Sequence, residues 1–287
     1  MPEIIDGIVF HRVIDKTRLR ATLRPLGDHI EASLAPVVVL KELDAPEPVL
    51  QYWRERLANP TSDELRKRAA RAREQSALRR RTMIRRRVKT AGHDLMLTGT
   101  FKANMADLGE AWRLWKEFVR RVRRVWPGFS YCVAWEQQKR GAWHWHASTH
   151  NLPRELRAAN GVRVKSFNVL RAIWRGVVGD LGGTVHVAKR QRSRRATQQH
   201  IAGYLAKYIG KAESAGDGSN RWASSVIAID APLRQVISRD ELVETLAVLV
   251  ELCGSDGREL SAAWVSYGDT VFLAAGPPHF TRSRENP

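Results

Sequence analysis

Cysteine is nearly missing from this chain: Cys132 and Cys253 are the only two in 287 residues. Two thiols so far apart exclude a disulfide framework and a cysteine-built zinc site. Both have apolar neighbours, so buried free thiols are expected, which fits a reducing compartment. Long apolar runs are missing as well. The longest strongly apolar patch is Leu246 to Val250, far short of the roughly 20 residues that a membrane-spanning helix needs. The opening residues, Met1-Pro2-Glu3-Ile4-Ile5-Asp6, lack the basic-then-apolar order of a secretion signal. A soluble cytoplasmic protein with no membrane partner is the expectation.

Negative charge is also scarce. Asp and Glu number 30 against 48 Lys and Arg, a formal net charge of +18. Such a surplus favours a polyanionic partner, either nucleic acid or an anionic surface. The 43% hydrophobic fraction suffices for a buried core, and 287 residues suffice for one large domain or a catalytic domain with additions.

Much of the basic charge is concentrated in one stretch. Thr61 and Glu64 stand at capping-box spacing and predict a helix start. The helix that follows carries Arg66, Lys67, Arg68, Arg71, Arg73, Arg79, Arg80, Arg81, Arg85, Arg86, Arg87 and Lys89 with few large apolar residues. Two readings are open: a solvated arm, or an arm that contacts phosphates. Residues 1 to 60 have short apolar runs between prolines and charges and suggest no function.

From about residue 91 the pattern becomes regular. Leu95 to Phe101 is a candidate strand. Leu108, Trp112, Trp115, Phe118, Val119, Val122 and Trp126 recur at helical spacing up to Pro127-Gly128. Phe129–Glu136 and Trp143–Thr149 predict two strands joined by a turn holding Lys139, Arg140 and Gly141. A helix over Phe167–Val178, a strand over Thr184–Ala188, a basic loop with Arg192, Arg194 and Arg195, and a helix over Gln198–Lys211 follow. The first six elements have the β-α-β-β-α-β order of the split βαβ, ferredoxin-like arrangement. The expected fold class is α+β: an antiparallel sheet with helices on one face and the other face free for a ligand. Ser238 and Glu241 predict a capped helix over Leu242–Leu252, and Trp264 to Ala274 a last strand. Three segments are expected: 1–90 as an N-terminal region with the basic arm, 91–212 as the core, and 213–287 as an extension.

The strand Trp143-His144-Trp145-His146 carries candidate chemistry. Alternation puts both imidazoles on one face, with Cα atoms roughly 6.6 Å apart, and sends the tryptophans to the other. Two histidines are an incomplete site. Glu136 ends the preceding strand, and a short hairpin would set it beside them as a third ligand. His150 and His186 compete for that role. A mixed imidazole–carboxylate set suits Mn²⁺ or a comparable divalent ion, with Mg²⁺ possible in use, and leaves positions for phosphate oxygens. Downstream, Tyr204 and Tyr208 are four residues apart and share a helix face, with Lys207 and Lys211 each three residues after a tyrosine. A nearby ammonium and an ion that polarises phosphate can make a phenol of pKa about 10 an effective nucleophile. A plain amphipathic helix is the alternative.

In this order, these residues resemble the HUH endonucleases, in particular the rolling-circle replication initiators of small single-stranded DNA phages and related plasmids. Leu95 to Phe101 corresponds to the family's threonine- and aliphatic-rich strand. His144-Trp145-His146 corresponds to its histidine-hydrophobic-histidine strand, and Tyr204/Lys207 and Tyr208/Lys211 to its tyrosine-x-x-lysine helix. The resemblance covers roughly residues 91 to 212. It implies a strand-specific DNA endonuclease using a divalent ion held by Glu136, His144 and His146. Tyr204 or Tyr208 would attack, leaving a 5′-phosphotyrosine link and later rejoining the strand. Single-stranded origin DNA, a host helicase and a polymerase are the partners it implies. Arg79, Arg80, Arg81, Arg85, Arg86, Arg87, Lys139, Arg140, Arg192, Arg194 and Arg195 are the candidate DNA contacts. No Gly-x-x-x-x-Gly-Lys-Ser/Thr loop is present, so a fused helicase motor is not expected. A nucleic-acid-binding protein without catalysis and a transposase of the same chemistry are the competing readings.

Overall fold

A computed structural model describes residues 2–150, 152–157, 161–188, 194–214, 221–266 and 270–278, with the side chains of 194–197 and 209–214 left aside. Strands β1 (Glu3–Ile5), β2 (Ile8–Leu26) and β3 (His29–Glu42) come first, then helices α1 (Glu47–Ala58) and α2 (Ser62–Thr90). Next are β4 (Leu95–Phe101), α3 (Leu108–Val125), β5 (Tyr131–Gln137), β6 (Trp143–Thr149), β7 (Glu155–Arg157) and β8 (Arg163–Lys165). They are followed by α4 (Ser166–Val178), β9 (Gly183–Val187), α5 (Arg194–Ser214), β10 (Trp222–Ser224), β11 (Leu233–Ser238), α6 (Leu242–Gly254), β12 (Glu259–Val265) and β13 (Val271–Gly276). The α+β class and the antiparallel sheet of the middle region are as expected.

The chain divides into two compact units. One comprises Met1–Pro25, His29–Ser76 and Asp230–Gly276; the other comprises Leu26–Asp28, Ala77–Ile229 and Pro277–Pro287. The first unit is built on a six-stranded sheet of order β1-β2-β3-β13-β12, with β11 also paired to β2. Its strands alternate. Leu19 and Ala21, with Ile30, Ala32, Leu34, Leu273 and Ala275, bury against Leu249 and Cys253 of α6, while Arg18 and Arg20, which alternate with them, stay exposed. Ser238 and Glu241 form the anticipated capping box ahead of α6. The single last strand expected over Trp264 to Ala274 is corrected to two antiparallel strands, β12 and β13. The polar Ser266 ends the first, and its amide donates to the Thr270 carbonyl at 2.9 Å as the chain reverses.

The second unit has a five-stranded sheet of order β10-β5-β6-β4-β9, antiparallel throughout. Within it the four strands of the split βαβ pattern lie in the spatial order second, third, first, fourth. One face is an aromatic core. Trp115 and Phe118 of α3 and Trp174 of α4 bury against Trp135, Trp145, Val133, Leu97 and Val185 from the strands. The Trp145 and Trp115 ring centroids are 4.7 Å apart, and Trp145 and Trp174 lie 5.4 Å apart in an edge-to-face pair. Each such pair contributes about 0.5–1.5 kcal/mol beyond area burial. Asp107 fixes the start of α3 by accepting from the amides of Gly109 and Glu110 at 2.7 and 3.1 Å.

Gly99 makes this packing possible. It pairs with Trp145 across β4 and β6, and a Cβ there would lie 2.0 Å from the indole Cε2. The glycine that interrupts an otherwise good strand sequence is therefore the recess for the Trp145 indole.

The sheet's other face is more covered than expected. Ile84 and Val88, near the end of the arginine-dense α2, and Ile201, Ala202, Leu205 and Ala206 of α5 bury with Cys132 and Ala134. Thr61 and Glu64 do cap α2, the Glu64 amide donating to Thr61 Oγ1 at 3.3 Å. The last turns of that helix are thus core as well as charge. Both cysteines are free and buried, and burial pushes the Cys132 thiol up to about 12.

His93, fully buried, bridges Ser148 Oγ on β6 (2.7 Å) and Ser130 Oγ ahead of β5 (3.1 Å). Burial, with a smaller contribution from His150, lowers its pKa from 6.5 to about 3. Between those values the unfolded chain binds a proton that the folded chain excludes. Stability is therefore lost as pH falls through this window, by about 2 kcal/mol at pH 5. Urea melts at pH 7 and pH 5 should show an acid loss of that size that disappears in His93→Gln. Gly99→Ala should lower stability by about 1–3 kcal/mol at pH 7 by overpacking the indole, read from the same melts.

Candidate metal and nucleophile site

The site lies on the second face of the five-stranded sheet. Cross-strand register places Glu136 of β5 opposite His144 of β6, and His146 between Ala134 of β5 and Thr98 of β4. The hairpin joining β5 to β6 turns at Gly141, whose φ of +86° favours glycine, and the Gly141 amide donates to the Gln138 carbonyl at 2.8 Å. Side chains alternate as anticipated, with Trp143, Trp145 and Ala147 in the aromatic core.

Three ligand atoms converge. His144 Nε2 lies 3.2 Å and His146 Nε2 3.4 Å from Glu136 Oε2, and the two Nε2 atoms are 3.0 Å apart. An ion bonded at ~2.1 Å imposes ligand–ligand edges of roughly 3.0 Å in an octahedron and roughly 3.4 Å in a tetrahedron. The observed triangle fits one face of either. Thr98 Oγ1 sits 3.0 Å from His146 Nδ1. With Nδ1 donating to that hydroxyl, Nε2 keeps its lone pair for the ion, the usual outer-shell arrangement for a ligating histidine. Two imidazole nitrogens and a carboxylate oxygen at these distances need a cation or a shared proton among them. Glu136, His144 and His146 can thus hold a divalent ion. They are the one such group among the described residues. Of the competing histidines, His186 is exposed on β9, opposite Thr98, and His150 has its Nδ1 4.0 Å from Asp94.

The tyrosine helix lies directly on the histidines. The Tyr208 ring is stacked on His146, with centroids 4.2 Å apart and planes 16° from parallel. The Tyr204 ring meets His146 edge-on at 5.4 Å and Tyr208 at 4.8 Å. Ile201, Ala202, Leu205 and Ala206 are buried, so α5 is anchored by its apolar arc and the two half-buried tyrosines lie at that arc's edge. Burial holds the Tyr208 phenol above its ordinary value, and the hydrogen bond with Tyr204 and the Glu136 carboxylate push the same way. A cation in the triangle would act against the carboxylate's contribution.

Residues 94–213 match the sequence model of the replication-associated protein ORF2/G2P family. No curated protein matches the chain, and no solved structure does. The ORF2/G2P-like stretch holds the whole triad and both tyrosines, and the match supports a role in DNA replication.

The other expected residues are distributed unevenly. Lys207 is exposed on the solvent side of α5, while the side chain of Lys211 lies outside the described residues. So do Arg192 and the side chains of Arg194 and Arg195. Arg79, Arg80, Arg85 and Lys139 are exposed; Arg81 and Arg86 are half-buried. Arg87 donates to Ser224 Oγ at 2.6 Å and lies over the Trp222 ring at 5.5 Å. Arg140 donates to the Phe101 carbonyl at 2.9 Å, tying the β5–β6 turn to the end of β4. Both arginines therefore have structural work besides any contact with DNA. Thr98 is the site residue that sequence reading missed. Its signal was present: it is a polar residue that follows Leu95-Met96-Leu97 in the strand and pairs across to the histidine strand.

Metal binding can be read directly. Mn²⁺ should raise the melting temperature of the wild-type chain, as ligand linkage requires. His146→Ala should abolish that shift, and Thr98→Val should weaken Mn²⁺ binding about 10-fold or more, measured by calorimetric titration.

Proposed function

We propose that this protein initiates rolling-circle DNA replication as a strand-specific endonuclease that nicks and rejoins single-stranded DNA through tyrosine. One observation carries the reading: His146 is shared, its Nε2 in the ion-binding triangle and its ring under the two tyrosines. An ion-holding group and a nucleophile meet at one point on the sheet, as phosphoryl transfer requires. The family match over the same residues supports it.

In this proposal residues 91–212 are the endonuclease core. Glu136, His144 and His146 hold Mn²⁺ or Mg²⁺, which when bound withdraws charge from the scissile phosphate. The hydroxyl oxygen of Tyr204 or Tyr208 bonds to phosphorus and loses its proton to solvent. The bond from phosphorus to the 3′ oxygen breaks, and that oxygen takes up a proton as a free 3′ hydroxyl. The phosphate stays on the 5′ end as a tyrosyl ester, so the bond can be re-formed by the reverse attack. A second tyrosine within van der Waals reach can accept a new strand while the first still holds the old one. Lys207 and Lys211 would favour the phenolate and phosphate charges, and the exposed arginines of α2 would collect the strand. A host helicase and polymerase are the partners this reaction needs.

Incubation of the full chain with origin-like single-stranded oligonucleotides and Mn²⁺ should yield a covalent protein–DNA species on a denaturing gel. Tyr204→Phe/Tyr208→Phe should eliminate it, and His146→Ala should reduce it at least about 100-fold. An adduct that survives the double substitution contradicts the tyrosine assignment. Binding without metal-dependent nicking on any such substrate would favour a protein that only binds nucleic acid.

A further inference from the structure

The sheet of the first unit has a second face, turned away from α6, that the nicking chemistry does not use. Because Leu19 and Ala21 of β2, Leu34 of β3 and Leu273 of β13 point into the α6 core, the alternate residues share the opposite face. These are Arg18, Arg20 and Thr22 on β2, Ser33 on β3, Phe272 on β13, Trp264 on β12, and Arg234 and Val236 on β11. The strand registers align them in rows: Arg234 opposite Thr22, Val236 opposite Arg20, Phe272 opposite Ser33 and Trp264 opposite Phe272.

Two features of this face stand out. Trp264 is 50% exposed, yet its ring is stacked on Phe272 with centroids 5.5 Å apart and planes 24° from parallel. An indole braced flat by a second ring and open on a sheet surface offers a π-face to a ligand. Arg20 and Arg234 are exposed on the neighbouring strands β2 and β11, and no hydrogen bond or ion pair engages either among the described residues. Arg18 is held by Asp15 at 2.7 Å, and Glu31 is the acidic residue that β3 adds to this face. Five strands at about 4.8 Å spacing separate the arginine edge from the aromatic edge by roughly 19 Å.

We infer that this face binds a single-stranded polynucleotide, with bases stacked on Trp264 and phosphates paired to Arg20 and Arg234. The observations favour that occupant over a protein. A protein interface is depleted of unpaired charge at its centre, whereas a stacking ring at one edge of an open sheet and free guanidiniums toward the other suit a flexible strand of phosphates and bases that runs across it. The site shares no residue with the Glu136/His144/His146 triangle, and binding there does not depend on cleavage, so it stands whether or not the tyrosines react.

The test measures binding of the full chain to fluorescent oligo(dT) and oligo(rU) across a salt series. Trp264→Ala should weaken binding about tenfold, with Trp264→Phe restoring most of it. Arg20→Ala/Arg234→Ala should reduce the salt slope by about 1.4, the sum for two phosphate contacts to single strands. Metal-dependent nicking of an oligonucleotide too short to reach beyond the cleavage site should be unchanged in both variants. Weakening in the oligo(dT) arm alone, or in both arms, supports the inference and tells DNA preference from general single-strand binding. An unchanged affinity and salt slope in all variants, with melting temperatures held, overturns it. A change of oligomeric state in Trp264→Ala with polynucleotide binding intact also overturns it, because the face would then join copies of the chain. If Trp264→Ala unfolds, photocrosslinking of iodouridine-substituted strands to the wild-type chain decides. Crosslinks in the peptide holding Trp264 support the inference, and their absence there rejects it.

Discussion

Side chains on β6 alternate between two environments of opposite polarity, and the candidate site depends on that alternation. Trp143 and Trp145 point into the aromatic core while His144 and His146 point to the face that carries Glu136 and the tyrosines. A slip of one residue in the pairing of β6 would put imidazoles among tryptophans and indoles in the polar cluster. Burial of those indoles against α3 and α4 therefore fixes the register that brings the ligand atoms to one point. Gly99 belongs to the same constraint, since any side chain there would displace the Trp145 ring. The candidate site's geometry is held mainly by apolar packing on the opposite side of the sheet.

The polar face has its own supports. His93 joins Ser148 to Ser130, and Thr98 orients His146 from the next strand. Helix α5 is seated by Leu205 and Ala206, so its tyrosines meet His146 from a packed helix. Rigid elements on both sides suit the proposed transfer to tyrosine, in which the attacking oxygen and the ion must be held in fixed positions.

The legible parts of this arrangement were those with a strong local period. The strand-turn-strand around Gly141, the α3 and α4 stripes, both capping boxes and the Glu136/His144/His146 convergence could all be read from spacing. The coverage of the second sheet face could not, because Ile84 and Val88 sit in a helix whose composition is dominated by arginine, and their burial depends on distant partners. The large first sheet was also missed. Its clue was Arg18-Leu19-Arg20-Ala21-Thr22-Leu23-Arg24, a clean alternation followed by Gly27-Asp28, masked by the prolines and charges around it. The contribution of residues 230–276 to the same unit as the N-terminal strands is a long-range pairing, β11 on β2 and β13 on β3, that no local pattern announces. The roles of Arg87 and Arg140 in the fold were likewise invisible, since a basic residue in a run looks the same whether it meets phosphate or a backbone carbonyl.

The proposed chemistry turns on one cation held among Glu136, His144 and His146, directly beneath the tyrosine helix. Anomalous diffraction at the manganese edge from crystals of the full chain grown with Mn²⁺ tests it most directly. A single strong peak about 2.2 Å from His144 Nε2, His146 Nε2 and a Glu136 oxygen is expected, with Tyr208 still stacked on His146. A peak at His150 or His186 instead, or a triad that stays empty at saturating Mn²⁺, would contradict it.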